Sequence, residues 1–266
     1  DRAWSSVVLG VDPDGAVRWR HAADASPVAL DTDAGRVAVA YNRRPGGGDG
    51  LVVLDVATGD RLLSWDPDGS GDRRVGDVTF ADGHIAVASH ADKRGYYLDP
   101  DGTERWRVDL GTPQSVGAET VYTYPTHVCA ADGTVAFVTG NTFADDTRDP
   151  DARHPHEHTV TAVDGGDVAW TCGIGGFARD ASVSGSLIAV PSAQHFRQRD
   201  ADTHAVHVLD ARDGRLTERS VSGIASSVAI DDGTLAVVEE PVAYHDEDAT
   251  RGAHRLHTWS VSDPAE

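Results

Sequence analysis

Residues 51–65 read LVVLDVATGDRLLSW. An apolar run ends in Asp55, a turn at Thr58-Gly59 reverses the chain, and a second run closes on Trp65. The carboxylate caps turn N–H groups and the glycine supplies the positive φ of a tight reversal, so the stretch reads as two antiparallel strands. The same pattern stands at 7–19 (VVLGVDPDGAVRW), 96–106 (YYLDPDGTERW), 160–170 (VTAVDGGDVAW) and 206–216 (VHVLDARDGRL). A partial copy, LHTWSVSDP, occupies 256–264.

Between these copies lies a second hairpin, an apolar stretch broken by one glycine: 28–41 around Gly35, 78–89 around Gly83, 128–139 around Gly133, 183–191 around Gly185 and 228–238 around Gly233. The glycines are spaced by 48, 50, 52 and 48 residues. Recurrence at this period marks a repeat architecture, and four short strands per unit (A to D) mark the blade of a propeller. The expected fold is therefore all-β, a β-propeller of four-stranded antiparallel blades with five to six repeats visible. It is read as one domain over 1–266: a partial blade at 1–20, then blades at about 26–66, 75–110, 126–172, 179–222 and 225–266. Alternation such as 36–40 (RVAVA) reads as half-buried strand, and very little helix is expected. The first segment supplies only C and D strands and the last only A, B and C. A piece of a larger propeller and a closed ring with an augmented last blade both remain open.

The C–D pattern resembles the pyrroloquinoline-quinone-like propeller repeat, whose consensus runs apolar-Ala-Leu-Asp-x-x-Thr-Gly-x-x-x-Trp. Leu54-Asp55-Val56-Ala57-Thr58-Gly59 leading to Trp65 is the nearest copy. The resemblance implies that Trp19, Trp65, Trp106 and Trp170 dock structurally against a neighbouring blade, with Leu216 a departure. It also implies a partner-docking role of the assembly-factor kind. Quinone-dependent dehydrogenases of this type use adjacent cysteines, a Trp platform and bound calcium. This chain has no adjacent cysteines and no residue that carries over as a quinone or calcium ligand, so PQQ is not expected.

Charge narrows the partners. The chain holds 23 Lys+Arg against 43 Asp+Glu, a formal charge of −20. Such a field repels phosphate backbones, which argues against nucleic acid and anionic membranes. No apolar run is long enough for a membrane-spanning helix. Aspartate (35) far outnumbers glutamate (8), and Lys93 is the only lysine among 22 arginines. That surface resembles proteins of salt-accumulating haloarchaea, and it suits either a salt-in cytoplasm or a hypersaline cell exterior. Residues 1–6 carry no signal-peptide pattern and the chain has no methionine, so a processed or excised polypeptide is expected.

In an A-B-C-D blade the A–B and C–D turns share one side, and the B–C and D–A connections the other. Here the former are short, while the B–C connections (42–50, 90–95, 141–158, 194–204 and 241–254) are long and varied. Rigid scaffolds carry binding surfaces on such loops. Ligand-face candidates are Asp145, Asp146, His195, His204, His245 and His254. The run ARHPHEH at 152–158 places His154, His156 and His158 alternately. On an extended segment they project to one side, as a zinc site would require, and nearby carboxylates would suit calcium. A solvated acidic loop is the plainer reading. Cys129 and Cys172 fall on the innermost and outermost strands of one blade, about 14 Å apart at ordinary strand spacing, too far for a disulfide. No metalloprotease, P-loop, dinucleotide or serine-hydrolase motif is present. The sequence thus points to a non-catalytic scaffold for a protein or small ligand. The alternative is a metal-dependent hydrolase or lyase built from B–C loop His and Asp residues.

Overall fold

The computed structural model describes residues 5–44, 48–144, 151–194, 201–243 and 249–261. They form strands almost throughout, with a single 3-10 turn at Ala201–Thr203. The chain gathers into two compact units, Asp1–Asp109 and Leu110–Glu266.

In the first unit, β1 (Ser6–Val11) and β2 (Val17–Ala23) make a two-stranded hairpin. A four-stranded sheet follows from β3 (Pro27–Asp33), β4 (Arg36–Tyr41), β5 (Leu51–Asp55) and β6 (Arg61–Trp65), and a second from β7 (Val75–Ala81), β8 (His84–Ser89), β9 (Arg94–Leu98) and β10 (Glu104–Asp109). Every pairing is antiparallel between sequence neighbours.

The second unit opens with a hairpin of β11 (Gln114–Val116) and β12 (Glu119–Tyr122). Next come β13 (Pro125–Ala131), β14 (Thr134–Thr139), the two-residue β15 (Phe143–Ala144), β16 (Thr159–Asp164) and β17 (Asp167–Gly173). Strands β13-β14-β16-β17 form one four-stranded sheet, while β15 joins the hairpin as a third strand, β11-β12-β15. β18 (Ser182–Ser184), β19 (Leu187–Ser192), β20 (Ala205–Asp210) and β21 (Leu216–Ser220) form the next sheet. β22 (Ile224–Asp231) and β23 (Thr234–Glu240) pair with β26 (Arg255–Ser260), and β24 (Val242–Ala243) and β25 (Thr250–Arg251) make a small loop ribbon.

Local chemistry explains the repeated hairpin. Four of the A–B turns put both central residues at positive φ: Ala34-Gly35, Asp82-Gly83, Asp132-Gly133 and Asp232-Gly233. Two-residue hairpins of right-twisted strands demand that geometry, and Asp-Gly meets it with least strain. β3, β7, β13 and β22 each carry a bulge near their start, between Pro27/Ala29, Val75/Asp77, Pro125/His127 and Ala225/Ser227.

The middle strands correct the half-buried expectation. β4 is buried along nearly its whole length. Ala38 and Ala40 belong to a core with Leu51, Val53, Val78 and Ile85, whereas Val37, Val39 and Tyr41 belong to another with Val8, Val52 and Leu54. Sheet covers both faces of the strand, so alternation here distributes residues between two cores instead of between core and water. The outer strands β2, β10 and β17 alternate with solvent.

Tryptophan docking holds for two of the expected residues. Trp19 Nε1 donates to the Val56 carbonyl at 2.9 Å, and Trp170 Nε1 to the Ala211 carbonyl at 2.9 Å. Each ring lies over the glycine of the same C–D turn, so closely that a Cβ on Gly59 or Gly214 would stand 2.6 or 2.7 Å from ring carbon. Trp65 does not dock this way. Trp65 stands two residues farther past its turn glycine, Gly59, than Trp19 does past Gly15, so Leu63 reaches the next turn glycine, Gly102, and Trp65 meets Tyr96 edge-on at 5.0 Å. Trp106 stacks on Tyr97 within its own sheet. Cys129 lies on innermost β13 and Cys172 on outermost β17, with no disulfide between them.

Candidate functional site

The B–C and D–A connections of the second unit build a framed surface. Gly111 packs so tightly on Thr123 that a Cβ would lie 2.2 Å from the Thr123 carbonyl oxygen. Thr123 Oγ1 donates to the carbonyls of Gly140 and Asn141, both at 3.0 Å, and Gly140 N donates to the Tyr124 carbonyl at 2.9 Å. These bonds clamp the 140–144 segment onto the β12–β13 link. β15 then pairs with β12, setting Phe143 directly opposite Tyr122.

Three aromatic rings meet there. Tyr122 and Phe143 stack at 5.8 Å and 21°, while Tyr124 stands edge-on to both, at 5.6 and 5.2 Å. Cross-strand stacking and edge-to-face contact are the favoured aromatic geometries. Phe143 remains 40% exposed although Val121, on the paired strand β12, is fully buried. The result is an open aromatic ledge on a hydrogen-bonded base.

Histidines buttress the ledge. Residues 155–158 form a turn, not an extended segment: Pro155 interrupts the run and His158 adopts a left-handed φ of 49°. The expected one-sided projection of His154, His156 and His158 is therefore lost. His154 is buried; its Nε2 donates to the Thr112 carbonyl at 3.1 Å and its Nδ1 accepts from His156 N at 3.1 Å. Burial pushes its pKa down, in keeping with a neutral ring held between one acceptor and one donor. His158, also buried, donates from Nε2 to Asn141 Oδ1 at 2.8 Å. The His156 ring stands perpendicular to that of His154 at 5.7 Å. Glu157 accepts Thr142 N at 3.0 Å and Thr142 Oγ1 accepts His154 N at 3.0 Å, which closes the frame.

The other candidates separate. His204 is fully buried with Nδ1 3.5 Å from the Ser222 carbonyl, whereas His254 is exposed. Asp145, Asp146, His195 and His245 lie outside the described residues. No group of three or more His, Cys, Asp or Glu able to hold a metal occurs among the described residues. What sequence reading missed is Tyr122, Tyr124 and Phe143. The only signal was the YTY run before Pro125 and a strand-Gly-strand pattern at 114–122, with Phe143 some twenty residues on.

No family model matches the chain, and no curated protein matches it. Solved structures do. A protein of unknown function from Bacteroides caccae superposes with a TM-score of 0.52 at 11% identity, over 90% of this chain and 83% of that one. Sqt1 of Saccharomyces cerevisiae gives 0.52 at 12% identity, over 84% of this chain and 58% of that one. The fold is a β-propeller. BamB from Moraxella catarrhalis aligns over 88% of each chain at 13% identity with a TM-score of 0.36, too low to carry an argument. Within the described part of this propeller no helix is long and apolar enough to cross a membrane.

Proposed function

We infer that this propeller is a non-catalytic interaction scaffold, and that its second unit engages a protein partner through the Tyr122–Tyr124–Phe143 ledge. The observation that carries the reading is an exposed Phe143 packed on the half-buried rings of Tyr122 and Tyr124, over a base where Thr123, Thr142, His154 and Glu157 are already hydrogen-bonded. Rigid, amphipathic aromatic rings lose little entropy on binding and dominate contact energetics at interfaces. His154 and His158 spend ring nitrogens on the frame, and among the described residues no group of three or more His, Cys, Asp or Glu is placed to hold a metal. This reading calls on no quinone and no metal.

The test compares partner recovery from native cells by wild type and by a Tyr124→Ala/Phe143→Ala double variant. Recovery is expected to fall about tenfold or more, the usual loss on truncating an aromatic hot spot, with the melting transition nearly unchanged. Asp132→Asn, in an A–B turn on the other side of its sheet, is expected to leave recovery intact. Equal recovery by the double variant would overturn the assignment.

A further inference from the structure

The ledge joins two stretches of chain that strand pairing alone does not hold together. β12 and β15 share two register pairs, Val121 with Ala144 and Tyr122 with Phe143, and so short a pairing does not sustain itself in water. His154 supplies the missing tie. Its backbone N–H donates to Thr142 Oγ1 at 3.0 Å, one residue before Phe143, and its ring Nε2 donates to the Thr112 carbonyl at 3.1 Å, two residues before β11. One residue thus fastens the entry of β15 to the entry of the β11–β12 hairpin. The fastening is reciprocal: the His154 carbonyl accepts Glu157 N at 2.9 Å, and the Glu157 carboxylate returns to Thr142 N at 3.0 Å. The whole residue is buried, 2% exposed.

Ring chemistry sets a condition. Nε2 faces a carbonyl and must carry a proton; Nδ1 accepts from His156 N at 3.1 Å and must not. An imidazolium would set a second N–H against that of His156, so the clasp admits the neutral ring alone. His158 differs, because its Nε2 donates to Asn141 Oδ1 whether the ring is charged or not. Burial pushes the His154 pKa down, the Thr112 carbonyl and the Glu157 carboxylate pull the other way, and His156 adds to the lowering. Arg153 Nε stands 3.8 Å from the same carboxylate, and the stretches 110–113 and 140–144 bring no titratable side chain. We propose that His154 is the positioning residue of the aromatic ledge, holding Phe143 against Tyr122 through its main-chain N–H and its neutral ring. As a claim about binding this rests on the reading of the ledge above; as a claim about the shape of the ledge it does not.

The test replaces Phe143 by 4-fluorophenylalanine in the whole 266-residue chain and follows the ring by fluorine NMR, where stacking on Tyr122 and release into water give different shifts. His154→Ala is expected to move the signal to the released position. His154→Gln is expected to restore it, because one amide offers a donor to Thr112 and an acceptor to His156 N at nearly the spacing of the two ring nitrogens. Thr142→Val removes the acceptor of His154 N while keeping the ring, and it decides the matter should His154→Ala fail to fold. In the wild type the ratio of stacked to released signal is expected to fall by up to tenfold per pH unit below about 6.5, since the released ring takes up the proton first. The glutamine variant is expected to show no such fall, a difference that a space-filling role would not produce. A signal unmoved in His154→Ala or Thr142→Val, no rescue by glutamine, or the same pH transition in the glutamine variant would overturn the proposal. So would a transition that coincides with global unfolding. A ledge that opens as expected while partner recovery stays constant would overturn the reading of the ledge as the binding surface and leave His154 as what shapes it.

Discussion

Asp31 Oδ2 accepts the backbone N–H of Phe80 at 2.7 Å, joining the innermost strand of one sheet to that of the next. The same carboxylate takes Thr79 Oγ1 at 2.9 Å, and its other oxygen caps Thr32 N. In the second unit Asp180 repeats the device: Oδ2 accepts Val228 N at 3.1 Å and Ser227 Oγ at 2.6 Å, and Oδ1 caps Ala181 N. The receiving residues lie on β7 and β22, the end strands of their sheets, where an outward N–H has no ladder partner. Asp31→Ala strands that N–H at a sheet–sheet contact and is expected to cost about 1–2 kcal/mol in urea denaturation. Asp31→Asn keeps an acceptor and is expected to cost less.

Ala34 holds φ at 46°, in the position where three sister turns use aspartate. Left-handed geometry strains an L-residue with a Cβ and no local polar partner. Ala34→Gly is expected to raise stability by roughly 0.5–1 kcal/mol, with Ala34→Asp also gaining. A loss of stability in both variants would contradict the turn assignment.

His207 is buried, with Glu218 Oε2 3.7 Å from Nδ1. Burial lowers its pKa, and the Glu218 carboxylate and the Ile174 backbone only partly oppose that. The unfolded chain then takes up the proton first as pH falls. The stability is complete above the ordinary histidine range near 6.5 and declines below it. His154, lowered by burial as well, adds in the same direction. His207→Leu removes the titrating group and is expected to flatten the fall in melting temperature between neutral and mildly acid pH. An unchanged pH slope would show that the ring is protonated in the folded state.

Zinc or calcium titrated into metal-free protein is expected to show no micromolar site dependent on His154, His156 and His158, because His154 and His158 already spend ring nitrogens on Thr112, His156 and Asn141. Calorimetric binding lost in His156→Ala would reverse that reading.

Much of the fold was legible because strand period and Gly turns are local signals: each of the five glycine hairpins from Gly35 to Gly233 became a pair of strands. What failed was register and loop geometry. Trp65 looked equivalent to Trp19, yet extra residues after the Asp55 turn hand its place to Leu63. Alternate histidines suggest a metal only on an extended 152–158; the turn from Pro155 to His158 depends on contacts with Thr142, Thr112 and Gly140 that no local pattern announces. The ledge was invisible for the same reason, since the pairing of β12 with β15 brings Tyr122 to Phe143 across a long separation.

The most direct measurement places a photo-crosslinking amino acid at Phe143 in one version of the protein and at Asp132, on the opposite turn, in another, each expressed in native cells. A discrete cross-linked partner from position 143 and none from 132 is the predicted result. Adducts of equal yield from both positions, or from 132 alone, would contradict the claim that the loop side of this unit is where the scaffold binds.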